Sequence, residues 1–183
     1  DVKTVSMGQV PCGVMGVMAN KGAVACKLRI YETVIVIVCA HLAAHLEYWG
    51  RRNQDYIDIC NRMSLPGAIP DEVDGDTQSA VKWWLSTTGD SIQDCHHLFW
   101  MGDLNYRLND MDRDRVLKLS TSNDYDSLMR TDQLTLSMFM RTAFVDYCEP
   151  QICFPPTFKY QHGTDKFDKQ RTPAYCDRIL WRR

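Results

Sequence analysis

The residues best placed to do chemistry lie in Phe99-Trp100-Met101-Gly102-Asp103-Leu104-Asn105-Tyr106-Arg107. A short apolar run, His97 to Met101, reads as a strand that delivers the chain into a carboxylate and an amide two residues apart. In an extended chain that spacing puts both polar heads on one side, within reach of one small ligand. Asp103 can accept a proton from water, and Asn105 can hold that water or a phosphate oxygen. Gly, Asp and Asn are also ordinary turn residues, so the nonapeptide alone leaves a simple turn cap open.

Three further groupings carry polar chemistry. Cys39-Ala40-His41-Leu42-Ala43-Ala44-His45 puts a histidine at the end of another apolar run. Two histidines four apart could share a helical face and a metal, but no third ligand is near in sequence. His41 is therefore read as a phosphate-facing donor and His45 as a core or capping histidine. His96 and His97 are read as loop surface and the start of a strand. Asn20-Lys21-Gly22 combines an amide, an ammonium and free backbone N–H groups in one turn, a modest anion site that lacks the spacing of a Walker loop. Lys159, Lys169 and Arg171 gather before Asp177-Arg178-Ile179-Leu180-Trp181, where Asp177 and a buried Ile-Leu-Trp run would pin a loop able to clamp a second phosphate. A solvated basic loop is the plain alternative.

The elements that must position these groups follow from patterning. Ala23 to Tyr31 alternates and Thr33 to Cys39 is β-branched, which predicts two strands joined near Glu32, the second buried on both faces. Leu46 to Met63 predicts a helix with Trp49, Tyr56, Cys60 and Met63 on one face, and exposed pairs Glu47 with Arg51 and Asp58 with Arg62. Residues 64 to 79, with Asp71, Glu72, Asp74 and Asp76, read as a solvated surface excursion, and Ser79 to Ser86 as a helix. Asp124 to Met138 reads as a further amphipathic helix and Ala143 to Tyr147 as a short strand. Strands alternate with helices, which defines an α/β class.

Composition bounds the rest. The chain has 183 residues, 45% hydrophobic and 24% charged, an ordinary globular balance that excludes disorder. Lys plus Arg number 21 against 23 Asp plus Glu, so no global field holds a polyanion and phosphate chemistry must be local. The eight cysteines are scattered through apolar runs and read as reduced, buried thiols of a cytoplasmic protein. The longest apolar run, Thr33 to Ala40, is far shorter than the roughly 20 residues of a membrane span.

Taken together, the motifs resemble the catalytic domain of inositol polyphosphate 5-phosphatases, in the superfamily of deoxyribonuclease I. The resemblance rests on Asn20-Lys21-Gly22, His41-Leu-Ala-Ala-His45, Arg51-Arg-Asn-Gln-Asp-Tyr56, Gly102-Asp-Leu-Asn-Tyr-Arg107, Pro156-Thr-Phe-Lys-Tyr160 and Tyr175-Cys-Asp-Arg-Ile-Leu-Trp181. Arg51-Arg-Asn-Gln-Asp-Tyr56 and Cys60-Asn-Arg-Met-Ser64 place the type II subgroup nearest. The resemblance implies a two-sheet sandwich flanked by helices, with residues 1–183 as the central part of one domain. It implies Mg²⁺-dependent attack of water on the 5-phosphate of phosphoinositides or soluble inositol polyphosphates, without a phosphoenzyme. Asp103 would orient or deprotonate the water, Asn105 hold the reacting phosphate, His41 donate to it and Asp177 orient a catalytic histidine. Lys159, Lys169 and Arg171 would meet the 4-phosphate, and Asn20 with Lys21 the 1-phosphate.

The family's metal-binding glutamate and its Ser-Asp-His histidine fall outside the matched stretch, so no metal ligand is assigned here and the isolated chain is expected to be silent. Ala19 and Ala23 replace glycines, Ala40 a hydroxyl residue, Phe158 a frequent tyrosine and Tyr175 a tryptophan. Peripheral contact with a membrane surface is implied and nucleic acid is not. A nuclease on the same fold and a non-catalytic phosphoinositide-binding relative are the competing functions.

Overall fold

The computed structural model describes residues 2–13, 20–65 and 91–183. Its framework is one mixed sheet in spatial order β1-β2-β3-β4-β5. The strands are β1 Val2–Pro11, β2 Gly22–Ile30, β3 Thr33–His41, β4 His97–Asp103 and β5 Asp177–Arg182. All neighbours are antiparallel except β3 and β4, which run parallel. The β2–β3 hairpin turns at Tyr31-Glu32, as the sequence predicts, with Tyr31 at φ 52°. The α/β class stands. The segments expected as an acidic excursion and a helix near residues 79 to 86 lie mostly or wholly outside the described residues.

One face of the sheet is covered. Val36, Val38 and Ala40 of β3, Leu98 and Trp100 of β4 and Leu180 of β5 are buried. Helix α1, Trp49–Arg62, lies over them and contributes the fully buried Ile59. Tyr56 packs 5.1 Å from Trp100 and 4.1 Å from Phe144 between ring centroids, and Trp100 meets Phe144 edge-on at 5.3 Å. Such aromatic contacts add stability beyond the area they bury. A smaller cluster of Leu108, Val116, Leu128, Ile152 and Tyr175 lies under α2 Arg113–Thr121 and α3 Tyr125–Met129.

Several expectations need correction. Strand β3 is buried on one face only, since its residues alternate and Cys39 and His41 are exposed. The same alternation leaves Ile179 57% exposed and Trp181 half-buried, with only Leu180 of that trio in the core. The helix expected over 124–138 is two, α3 and α4 Gln133–Phe139, because the Asp132 side chain accepts from Thr135 N and starts a new helix. Ala143 to Tyr147 is not a strand: Phe144 and Asp146 have positive φ, and the segment folds inward as an aromatic plug. The cysteines are all free, but Cys39, Cys148 and Cys153 are exposed. Burial pushes the Cys12 and Cys60 thiols up to about 11 and Cys176 to about 12, which keeps them unreactive.

The expected surface pairs on α1 are replaced by bonds that serve the neighbouring loops. Arg51 Nε donates to Asp55 Oδ1 at 2.7 Å and its Nη2 to the Cys12 carbonyl at 2.8 Å. Arg62 reaches the Pro11 carbonyl, and Asp58 accepts from Gln54.

Candidate active site at the aligned strand ends

Strand register gathers the candidate residues. Gly22 pairs with His41, His41 with Asp103 and Asp103 with Asp177, so four strand ends form one row at a single end of the sheet. Two glycines let the row form. Gly102 has φ +129°, and a Cβ there would fall 2.1 Å from the Ala40 carbonyl oxygen; Gly22 has φ +147°, with Val10 O at 2.2 Å from the same atom. Only glycine adopts these conformations at such close approach. Ala23, which departs from the resembled pattern, lies in β2 without positive φ and needs no glycine; Ala19 lies outside the described residues.

Along the row the side chains interlock. His41 Nε2 is 3.1 Å from Lys21 Nζ and 3.4 Å from Asp103 Oδ2. An ammonium only donates, so the Lys21 contact needs Nε2 as an acceptor, whereas a hydrogen bond to Asp103 needs a proton on the same nitrogen. Asp103 Oδ1 accepts from Asn105 N at 3.1 Å, across a turn in which Asn105 takes φ 57°, a conformation asparagine tolerates. Burial pushes the Asp103 carboxyl above the ordinary aspartate value; His41 opposes the shift and Asp177 adds to it.

Two cavities of about 540 Å³ each open on this row, and His41 and Asp103 line both. One also carries Asn105, Arg107, Phe158, Lys159 and Arg171. The other carries Asn20, Lys21 and Gly22. The arrangement is thus a carboxylate and an imidazole between two cation-bearing hollows, suited to a ligand with phosphates at both ends.

Lys159 and Arg171 reach the first cavity by a braced loop. Asp168 N donates to the Lys159 carbonyl at 2.7 Å, and the Asp168 carboxylate accepts from the backbone of Gln170 and Arg171. Those two bonds hold the Asp168 carboxyl below its ordinary value. Arg113 ties the loop down by donating to Asp168 O at 2.9 Å. Lys169 is exposed and is not among the residues lining either of these cavities. Asp177 is also absent from both linings; its backbone N–H donates to Thr157 Oγ1 at 3.2 Å and its side chain is exposed beside Asp103. His45 is exposed, has φ 74° and makes no capping bond, so it is neither a core nor a capping histidine.

Sequence reasoning missed the supports behind the row. Arg52, fully buried, donates to the carbonyls of Ala43, His45 and Leu46 and to Gln133 Oε1, which shapes the loop after His41. Burial lowers the Arg52 guanidinium to about 10. Asp55 accepts from Ala43 N at 3.0 Å, and Asn53 Oδ1 accepts from the Tyr106 hydroxyl at 2.7 Å. Within the Arg51-to-Tyr56 run Arg52 and Asp55 are buried and Asn53 half-buried, and these three brace the neighbouring loops. The signal was the density of polar residues on a helix that must also cover the sheet.

The described residues do not build a metal centre unaided: no group of three His, Cys, Asp or Glu side chains among them gathers to hold an ion. Oxygens at the row are also engaged, Asp103 Oδ1 by Asn105 N–H and Asn105 Oδ1 by Arg107.

Over residues 1–183 the chain matches Endonuclease/Exonuclease/phosphatase family 2, and it belongs to that family. It is 40% identical over 184 residues to the type II inositol 1,4,5-trisphosphate 5-phosphatase of Mus musculus, an alignment covering 99% of this chain and 17% of that protein. Synaptojanin-1 of Homo sapiens is 32% identical over 185 residues, 100% of this chain and 10% of that one. The inositol polyphosphate 5-phosphatase domain of SPsynaptojanin, solved with inositol (1,4)-bisphosphate and calcium ion, superposes with a TM-score of 0.82 at 29% identity, over 99% of this chain and 47% of that chain. The fold is therefore the one the motifs imply. A Cimex nitrophorin shares the fold alone, at 23% identity and a TM-score of 0.63 over 99% of this chain and 53% of that one. The chain spans a small part of its curated relatives and about half of the solved domain.

Proposed function

We propose that residues 1–183 are the central part of one catalytic domain that hydrolyses the 5-phosphate of phosphoinositides or soluble inositol polyphosphates. The observation that carries this reading is the row of His41 and Asp103 forming the shared wall of two hollows that hold Lys21 on one side and Lys159 with Arg171 on the other. A polyphosphate fits such a site, because each outer phosphate finds its own cation while the middle of the site offers a base and a donor.

In this reading Asp103 orients the attacking water and accepts its proton, for which a carboxyl raised by burial is better suited than an ordinary one. Asn105 donates to the reacting phosphate. His41 donates to a phosphate oxygen from Nε2 in the tautomer that carries its proton on that nitrogen, once Lys21 has turned to the ligand. Lys159 and Arg171 hold the 4-phosphate, with Lys169 adding charge from outside the cavity wall. Asn20 and Lys21 hold the 1-phosphate. Asp177 serves as the orienting carboxylate for a histidine from elsewhere in the domain. Mg²⁺ would be held by ligands beyond the described residues and would supply the positive charge that polarises the phosphate. No described helix is long and apolar enough to cross a membrane, and contact with lipid head groups would be peripheral, from the cytoplasm.

Phosphate release from soluble inositol 1,4,5-trisphosphate by the complete domain tests the reading. Release that requires Mg²⁺ and stops on chelation is expected. A folded complete domain that binds the compound without releasing phosphate would establish a binding relative instead.

A further inference from the structure

We infer that Arg107 is the positioning residue that makes Asn105 present an N–H, and not its carbonyl oxygen, to the cavity. The inference rests on the role proposed for Asn105 above. Arg107 takes Asn105 by two points at once: Nη2 donates to the side-chain Oδ1 at 2.5 Å and Nε to the main-chain carbonyl at 3.1 Å. A single rigid fork on both oxygens of one residue fixes the side-chain torsions between them. The opposite end of the amide, Nδ2, donates to the Leu42 carbonyl at 3.2 Å.

The network admits one amide orientation. Turned over, the amide would set its NH₂ against the guanidinium, donor facing donor, and its oxygen against the Leu42 carbonyl, acceptor facing acceptor. Asn105 is 3% exposed, so water could not repair either mismatch. Nδ2 carries two hydrogens and Leu42 takes one. The second belongs to a residue that lines the cavity shared by His41, Asp103 and Lys159. A phosphoryl oxygen there meets a donor; with the amide reversed it would meet a lone pair.

Arg107 is itself held. Its guanidinium carbon lies 4.3 Å from the centroid of the Phe158 ring, a cation–π contact, and its backbone N–H donates to Gln133 Oε1 at 3.0 Å. The Phe158 ring thus serves as the platform for Arg107. The chain runs from platform to guanidinium to amide to the reacting phosphate.

The test uses Arg107→Met, Arg107→Lys and Phe158→Leu in the complete domain, each alone and combined with Asn105→Ala. Arg107→Met is expected to lower kcat by about 10- to 100-fold with KM little changed, the scale of a misplaced catalytic contact. Arg107→Lys keeps the charge and lacks the fork, so it should stay nearly as slow. In the Asn105→Ala background none of the three should cost more than about twofold, because residues acting through one another are not additive. The side-chain amide resonances of Asn105, identified by their loss in Asn105→Ala, should shift in all three variants. Full recovery with lysine, a KM effect without a kcat effect, or additive losses would overturn the inference. If Arg107→Met does not fold, Phe158→Leu carries the same comparison. If the unmodified domain releases no phosphate the proposed function fails, and the Asn105 resonances still decide Arg107: no shift overturns it.

Discussion

His41 and Asp103 are register partners across the parallel β3–β4 pair, and Nε2 of one stands 3.4 Å from Oδ2 of the other while Lys21 approaches the same nitrogen to 3.1 Å. One ring nitrogen cannot accept from the ammonium and donate to the carboxylate together. Drawing Lys21 to a ligand removes the first demand and leaves Nε2 free for the second. A base and a donor on neighbouring strands are therefore coupled through the cation beside them.

Asp103→Asn should separate function from stability. In the complete domain it should lower phosphate release by about 100-fold or more, the usual loss when an organised transition-state contact is removed. Its fold should not suffer, since an amide oxygen still accepts from Asn105 N. The sign of the pH effect follows from burial, which raises this carboxyl in the folded state. A raised carboxyl contributes stability that is full below the unfolded value of about 3.9 and is lost as pH rises through the folded value. Thermal melts should show the variant at or above the unmodified protein at pH 7, the gap closing as pH falls below about 4. A variant much less stable at pH 7 would contradict this.

Arg178 marks a second site of high sensitivity. It lies next to Asp177 on β5, fully buried, and donates to Glu149 at 2.7 and 2.5 Å and to Asp132 at 2.9 Å. Burial alone would lower its pKa, but the two carboxylates outweigh that and raise it. Arg178→Met leaves both carboxylates without their shared cation and should cost about 3–5 kcal/mol, much of the ~5–15 kcal/mol that holds a domain together. Urea denaturation measures this, and Arg178→Lys should rescue little because one ammonium cannot fork between two acids. A loss under about 1 kcal/mol would show that the triad is solvated in solution.

What could be read in the sequence was local. The β-branched run of β3, the turn near Glu32 and the strand ending at Asp103 follow from residue type and period. So would the break between α3 and α4 have done, because Asp112, Asp124 and Asp132 each accept from a backbone N–H three residues on and so start a helix. The illegible parts depend on distant residues. Arg178 is buried because Asp132 and Glu149 arrive from 46 and 29 residues away. Arg107 finds Phe158 only because the loop that follows returns over the strand ends. Phe144 looked like a strand residue because a buried aromatic plug and a buried strand have the same composition. The candidate residues themselves were visible as types; that Lys159 and Arg171 line the cavity while Lys169 does not was a matter of loop geometry.

Gly102→Ala should be more harmful than its size suggests. A Cβ at this position would lie 2.1 Å from the Ala40 carbonyl oxygen, on backbone that cannot yield without breaking the β3–β4 pairing, and φ +129° excludes ordinary side chains. The expected result is loss of soluble, cooperatively melting protein, or a melting point lowered by several degrees for each kcal/mol of strain. Gly50→Ala is the control, because nothing lies within 4 Å of a Cβ there and the residue is in a helix. It should be neutral or stabilising by up to about 1 kcal/mol.

The cations of the 159–171 loop should prove unequal. Lys159 and Arg171 line the cavity that contains Asn105, and the Asp168 carboxylate fixes the turn between them through Gln170 N at 2.8 Å and Arg171 N at 2.9 Å. Lys169 occupies the same turn without lining that cavity. A charge-assisted hydrogen bond contributes roughly 1.5–3 kcal/mol, so Lys159→Ala and Arg171→Ala should each reduce kcat/KM on a 4,5-bisphosphate by about 10- to 100-fold. Lys169→Ala, acting only through screened charge, should cost no more than about threefold. On a substrate with a 5-phosphate and no 4-phosphate all three variants should match the unmodified domain. Equal losses on both substrates would move these cations from the 4-phosphate to the reacting group, and a large effect of Lys169→Ala would mean that ligand binding redraws the loop.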